Sequence, residues 1–412
     1  MKRIHYAWIV AFFSCLMTVG IGAQLTVPSV FLLPVAESLG VSVTTVSFMY
    51  SIGPFAAMFV TPLCAGLFQK YSVRKLLCIF LLIQACGLLL YSLSENIYMM
   101  IGAGFMESFG VACFIYVLPT VIVKRWFRDK GEFVLGIFIT ASMLGGVLFT
   151  PMAGAITYSA GWRAAYRCLA VYVLAAGAVG TVLIMKEGPE SIGLQPYENT
   201  GCGWTAAEKK HAAGGCDLTV KSAWRAKKFY LAVLYLIAIQ YCVGMQNHLG
   251  NYGKTLGLSA ALGAVFASVC HFGGLVSRVG LSFLNEKIGV RNSTFLCTGI
   301  GIAASLCLRF IEHPPLEMIY MLGFLFGIAL KCGLIETTAM CYEVFGDSED
   351  YERINANVVL LGGIIAGTAG TVFGFIYDST GSYQSVIMML AMLYALAMVL
   401  ANILLEDKKR KH

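Results

Sequence analysis

Along the chain, long apolar runs alternate with short polar interruptions, and each apolar run extends for eighteen residues or more. A helix needs about 20 predominantly apolar residues to cross the hydrocarbon core of a bilayer. Read with that window, the first half predicts spans at 7–33, 46–69, 76–93, 97–123, 133–159 and 164–185. The second half predicts 229–249, 259–284, 293–310, 316–340, 354–376 and 383–405. The pattern is that of an all-α polytopic membrane protein with twelve transmembrane helices. Lys2 and Arg3 precede the first run as they would a secretory leader. The run is nevertheless too long for a leader's apolar core and lacks a small-x-small cleavage site, so it is read as the first span.

The one long polar stretch, 187–228, is too short to hold a core of its own. It divides the chain into an N-terminal six-helix bundle at 1–186, a partly ordered linker, and a C-terminal six-helix bundle at 229–412. The halves resemble each other. Gly154-Ala-Ile-Thr-Tyr-Ser-Ala-Gly161 returns 220 residues later as Gly374-Phe-Ile-Tyr-Asp-Ser-Thr-Gly381. At nearly the same offset, the loop from Gly66 to Lys75 returns as the loop from Phe283 to Arg291. Two six-helix repeats with a site between them near the bilayer midplane form a carrier architecture.

Composition agrees with the spans. Charged residues make up 12% of the 412, and 58% are hydrophobic. A soluble protein carries about 25% charged residues. The formal net charge of +7 matters less than its placement. With the N-terminus inside, 23 of the 29 Lys and Arg fall in cytoplasmic segments, including Lys2, Arg3, Lys124–Lys130, Lys408–Lys411 and those of the linker. Arg163, Arg167, Lys254 and Arg309 fall outside, and Arg278 and Lys331 lie within spans. That asymmetry predicts both termini in the cytoplasm of a cell's inner (plasma) membrane. The charge therefore gives no reason to expect a nucleic-acid partner; the lipid bilayer is the expected one. The 14 cysteines show no CxxC spacing, and Cys202 and Cys216 of the cytoplasmic linker are not expected to form a disulfide. No nucleophile–base constellation, metal-ligand spacing or phosphate loop is evident, so neither an enzyme nor a cofactor is implied.

Ionisable groups within spans cost several kcal/mol and ordinarily face a cavity or a partner. Arg278 in span eight carries a planar two-pronged donor suited to a carboxylate; the competing role is anchoring at the interface. His271 lies seven residues earlier on the same helix face, as a ligand donor or as a hydrogen-bonded structural histidine. Lys331, near the middle of span ten, is either a second substrate cation or half of an ion pair. Glu107 in span four is either a proton-coupling site or a permanent counter-ion, while Glu336 reads as structural. Gln24, Tyr116, Asn247 and His248 are weaker polar candidates on spans one, four and seven.

The loop Glu286-Lys287-Ile-Gly289-Val-Arg291 resembles the G-x-L-x-D-R-x-G-R-R signature of the major facilitator superfamily, which marks a contact between domains. Its counterpart in the first half departs from that signature, with Lys70 at the acidic position and Val73 at the glycine. Phe31-Leu-x-Pro34, Tyr116-x-x-Pro119, Lys124-Arg-Trp-Phe127, Asn355-x-Asn357 and Gly374-x-x-Tyr-Asp378-x-x-Gly381 resemble the oxalate/formate antiporters and monocarboxylate transporters. The resemblance covers the whole chain. It implies that spans one, four and seven line the cavity and that an arginine at the position of Arg278 contacts a substrate carboxylate. It also implies a lysine in span eleven or span one, and neither Val358–Ile365 nor Gln24–Pro28 contains one. Lys331 is the expected substitute. The expectation is a secondary carrier of a small mono- or dicarboxylate, working by antiport against a counter-anion or by proton symport. The alternatives are a proton-driven exporter of amphipathic compounds and a non-transporting membrane sensor.

Overall fold

A computed structural model describes residues 5–128, 131–198, 220–311, 314–346, 348 and 350–409. Lys2, Arg3, Lys130, Cys202, Cys216, Arg410 and Lys411 lie outside the described residues. Twelve helices among the described residues are long and apolar enough to cross a membrane. Spans one to six are Tyr6–Gln24 (continued by Pro28–Leu39), Val43–Lys70, Val73–Leu93, Ile97–Trp126, Phe133–Ala160 and Trp162–Val182. Spans seven to twelve are Lys227–Thr255, Ala260–Leu281, Phe283–Phe310, Leu316–Phe345, Arg353–Thr380 and Gln384–Leu405. All twelve overlap the stretches expected from hydropathy, and the helices run several residues further at some ends.

Local sequence sets those ends. Ser42, Ser72 and Asn96 each accept a hydrogen bond from the backbone N–H three residues on, capping spans two, three and four. Gly161 and Gly381 leave spans five and eleven at φ +84° and +68°, a conformation that glycine adopts without steric cost. Gly289, at φ +79°, kinks the helical run Ala260–Phe310 within the stretch bounded above as span nine.

The chain forms two compact units. One comprises Met1–Cys202 with Asn247–Ser268, and the other Gly203–Gln246 with Val269–His412. The C-terminal part of span seven and the start of span eight thus belong with the first six spans. In the first unit, spans one and five meet backbone to backbone at Gly22 and Gly145, where any Cβ would overlap the carbonyls of Ser142 and Val19. In the second, spans eight and ten meet the same way at Gly273 and Gly327. Small residues allow such close approach where lipid supplies no hydrophobic drive between helices.

The 220-residue repeat recurs in three dimensions. Gly53 faces the carbonyl of Gly104 across spans two and four, and Gly273 faces that of Phe324 across spans eight and ten. Span one is interrupted at residues 25–27, and span seven passes through a 3-10 turn at Gly244–His248. Span four contains a π-helix at Val111–Val117, and span ten breaks between Lys331 and Gly333. Near the ends of spans, Arg74 donates to the carbonyl of Val182, and Arg291 donates to Asn402 Oδ1 at 2.6 Å.

Candidate functional site

In the second unit, the breaks in spans seven and ten bring polar groups to one place. The Lys331 ammonium, on the last residue before the break in span ten, donates to Gln246 Oε1 in the 3-10 turn of span seven. Gly274 of span eight leaves the groove in which that lysine lies, because a Cβ there would collide with Lys331 Cγ. His271 and Arg278 sit three residues before and four after Gly274, on one face of span eight. His271 is 3% exposed, its Nε2 is buried with no hydrogen-bond partner, and it lies within electrostatic reach of Lys331. The Arg278 guanidinium also acts on Lys331 through its charge. Among the described residues, no carboxylate forms an ion pair with Lys331. Two cations thus influence each other beside an unsatisfied imidazole nitrogen. An anion is the ligand that would answer the Lys331 charge, since a cation within a span is costly without a counter-charge.

The first unit holds a different set. Gln24 ends the first segment of span one, and Gln84 of span three donates to its Oε1. Gly110 makes room for this pair, because a Cβ there would overlap the Gln84 amide. Gln24 Nε2 and Gln84 Oε1 remain buried without partners. The π-helix follows directly, and Tyr116 projects from it half-exposed. Such insertions are frequent at functional positions.

Glu107, 7% exposed, accepts a hydrogen bond of 3.2 Å from the Tyr91 hydroxyl. Tyr91 stacks on Tyr166 at 4.9 Å, and the Tyr166 hydroxyl donates to that of Tyr50 at 2.9 Å. Gly53 keeps span two low beside the carboxylate. Among the described residues, no cation pairs with Glu107. Its neighbours are neutral hydroxyls, a setting that suits gain and loss of a proton better than a permanent ion pair.

Of the remaining expected residues, Asn247 belongs to the first unit, with its Oδ1 buried and unpartnered, and His248 beside it is fully buried. Glu336, fully buried, accepts from Thr294 Oγ1 at 2.5 Å and from Ser293 Oγ at 3.4 Å, so it ties span ten to span nine. Glu286 and Lys287 are exposed on the helical stretch just before the kink at Gly289, and Arg291 reaches span twelve through Asn402. Inspection of ionisable groups alone missed Gln246, Gln84 and Tyr91. Gln84 carried a readable signal, being an amide within an otherwise apolar span.

A duplicated helical bundle with interrupted spans and polar groups at the interruptions defines a multi-pass membrane transporter. The family model of the major facilitator superfamily matches residues 12–314 and 280–412, and the chain belongs to that superfamily. It is 21% identical over 420 residues to an MFS-type transporter, YcxA, of Bacillus subtilis (strain 168), covering 98% of this chain and 96% of that one. It is also 21% identical to monocarboxylate transporter 12 of Rattus norvegicus, covering 98% and 85%. Among solved structures, the nucleoside transporter NupG superposes with a TM-score of 0.70 at 15% identity, over 98% of this chain and 99% of that one. A bacterial homologue of the human lysosomal transporter Spinster superposes with a TM-score of 0.64 at 16% identity, over 99% and 96%.

Proposed function

We infer that the protein is a secondary carrier of a small mono- or dicarboxylate, with the substrate anion held by Arg278 and Lys331. The observation that carries this reading is the Lys331–Gln246 contact beside His271 Nε2 and within reach of the Arg278 charge. Arg278 supplies a two-pronged donor to a carboxylate, and Lys331 supplies a point charge. His271 contributes one ring nitrogen to a ligand oxygen or to its proton. The relative named as a monocarboxylate transporter lends support. Gln24, Tyr116 and Asn247 are assigned as further polar contacts, and Glu107 as the proton-coupling residue. The two halves of the carrier are 1–186 and 229–412, joined by 187–228, in a cell's inner membrane with both termini cytoplasmic. Glu286, Lys287, Gly289 and Arg291 serve at the cytoplasmic face between those halves.

A thermal-shift screen of small carboxylates on purified protein tests the reading. A carboxylate that stabilises wild type should stabilise Arg278→Ala and Lys331→Met distinctly less, while the unliganded variants still unfold cooperatively. Equal stabilisation of wild type and both variants would remove these residues from the site. Glu107 favours a second reading, proton-driven export of amphipathic compounds. That reading requires transport driven by a pH gradient and indifferent to the charge of the substrate.

A further inference from the structure

The first unit contains a cleft of about 270 Å³ formed by the outer segment of span one, the junction of spans five and six, and the adjoining ends of spans seven and eight. None of the candidate site residues described above lines it, and the inference rests on its own residues rather than on the Arg278–Lys331 reading. Val30 and Pro34 form an apolar wall, and Trp162 a flat aromatic one. Arg163 holds the indole by lying over its ring at 4.3 Å while donating to Ser38 Oγ at 3.1 Å and to the Ser94 carbonyl at 2.9 Å. The opposite wall is made by glycines. Gly250 lies so close to span one that a Cβ would fall 2.6 Å from the Ser29 carbonyl oxygen, and a Cβ on Gly154 would overlap Ala264. Side chains at these positions would separate the helices and destroy the cleft's shape.

Three polar groups complete the lining. Lys254 is exposed at the rim and is the one charged residue in the lining. Asn251, 1% exposed, has its Nδ2 buried without a hydrogen-bond partner, and Thr157 Oγ1 is likewise buried and unpartnered. Leaving a buried donor unsatisfied costs about 1–3 kcal/mol. Two such groups in the wall of one cleft therefore call for a ligand oxygen that a small local adjustment can bring to them. The volume falls just below the ~300–1,000 Å³ usual for small-molecule sites, which suits a ligand of few atoms. An ammonium, an amide N–H and a hydroxyl all donate, and no carboxylate lines the cleft to compete.

We propose that this cleft is a binding site for a small soluble carboxylate with a short apolar body, its oxygens held by Lys254, Asn251 and Thr157 and its carbons against Trp162 and Pro34. The basic-residue distribution puts it on the side of the membrane away from the termini, where such an anion would meet the protein before or after passage.

The test uses the full chain labelled with 5-fluorotryptophan in phosphatidylcholine nanodiscs, with the Trp162 fluorine resonance assigned by its loss in Trp162→Phe. Propionate should shift that resonance saturably, and uncharged propionamide should not. Asn251→Leu and Lys254→Met should each weaken the propionate response at least tenfold, whereas Arg278→Ala should leave it unchanged. Wild-type counterflow of a carboxylate in Arg278→Ala, with this response intact, would count against the transport-site reading alone. The present proposal is overturned if propionate produces no saturable shift, if the response survives in both Asn251→Leu and Lys254→Met, or if Arg278→Ala abolishes it. It is equally overturned if the shift appears only when phosphatidylglycerol is added to the nanodiscs, which would give the cleft to a lipid headgroup.

Discussion

A lysine near the middle of a span carries a cost of several kcal/mol unless something answers its charge. For Lys331 the described partner is the neutral Gln246 amide, in a groove that stays open because residue 274 is glycine. Gly274→Val should therefore displace the lysine without removing it. Carboxylate uptake into proteoliposomes should fall about tenfold or more, the value of one charge-assisted hydrogen bond, and Lys331→Met should match it. Glu107 offers a separate test. Glu107→Gln keeps an oxygen to accept from Tyr91 but cannot bind or release a proton. Exchange at equal pH on both sides should continue, while accumulation driven by a pH gradient should be lost. Arg278, His271, Lys331 and Glu107 were legible in the sequence because an ionisable group in a span is conspicuous. Gln246 was not, since its partner lies 85 residues away in another helix.

At the scale of the element, the interruptions that hold the candidate site were invisible to hydropathy. An eighteen-residue average passes smoothly over the break at 25–27, the π-helix at Val111–Val117 and the break after Lys331. The span positions needed only that average, so all twelve were legible, and Pro28 hinted at the break in span one. Close helix contacts depend on single glycines, which composition could count but not locate. Gly22→Val should push spans one and five apart and destabilise the protein by about 1–3 kcal/mol, the range for overpacking, seen as a lowered unfolding temperature in detergent. Glu187, just past span six, ties three elements together. It accepts from Ser72 Oγ and from the Val73 N–H at 3.0 Å, and lies 3.7 Å from Arg125 Nη1. Partial burial pushes its pKa up, but the hydrogen bonds from Ser72, Val73 and Arg74 and the Arg125 charge outweigh that and hold it below the ordinary carboxylate value. A lowered folded-state pKa contributes stability above the unfolded value, and that contribution disappears as pH falls through the folded one. Wild type should thus melt above Glu187→Gln at neutral pH, and the two curves should converge on acidification. The effect should be small, because both partners are substantially exposed.

At the scale of the whole molecule, the repeat was legible from two short sequence matches and recurs in the structure at the same offset, in Gly53 and Gly273 and in Gly161 and Gly381. The grouping of Asn247–Ser268 with the first unit was not, because it depends on which helices touch rather than on chain order. Orientation is tested by single cysteines labelled with a membrane-impermeant maleimide on intact cells. Ser159→Cys should react and Tyr71→Cys should not, each judged against the unsubstituted chain. The central claim, that a small carboxylate crosses the membrane through a site built on Arg278 and Lys331, is tested most directly by counterflow. Proteoliposomes preloaded with the carboxylate that stabilises the purified protein should take up its labelled form transiently above equilibrium. Arg278→Ala and Lys331→Met should abolish that overshoot although both reconstitute to wild-type levels. Wild-type overshoot in both variants, or no counterflow of any stabilising carboxylate by the native chain, would contradict the account.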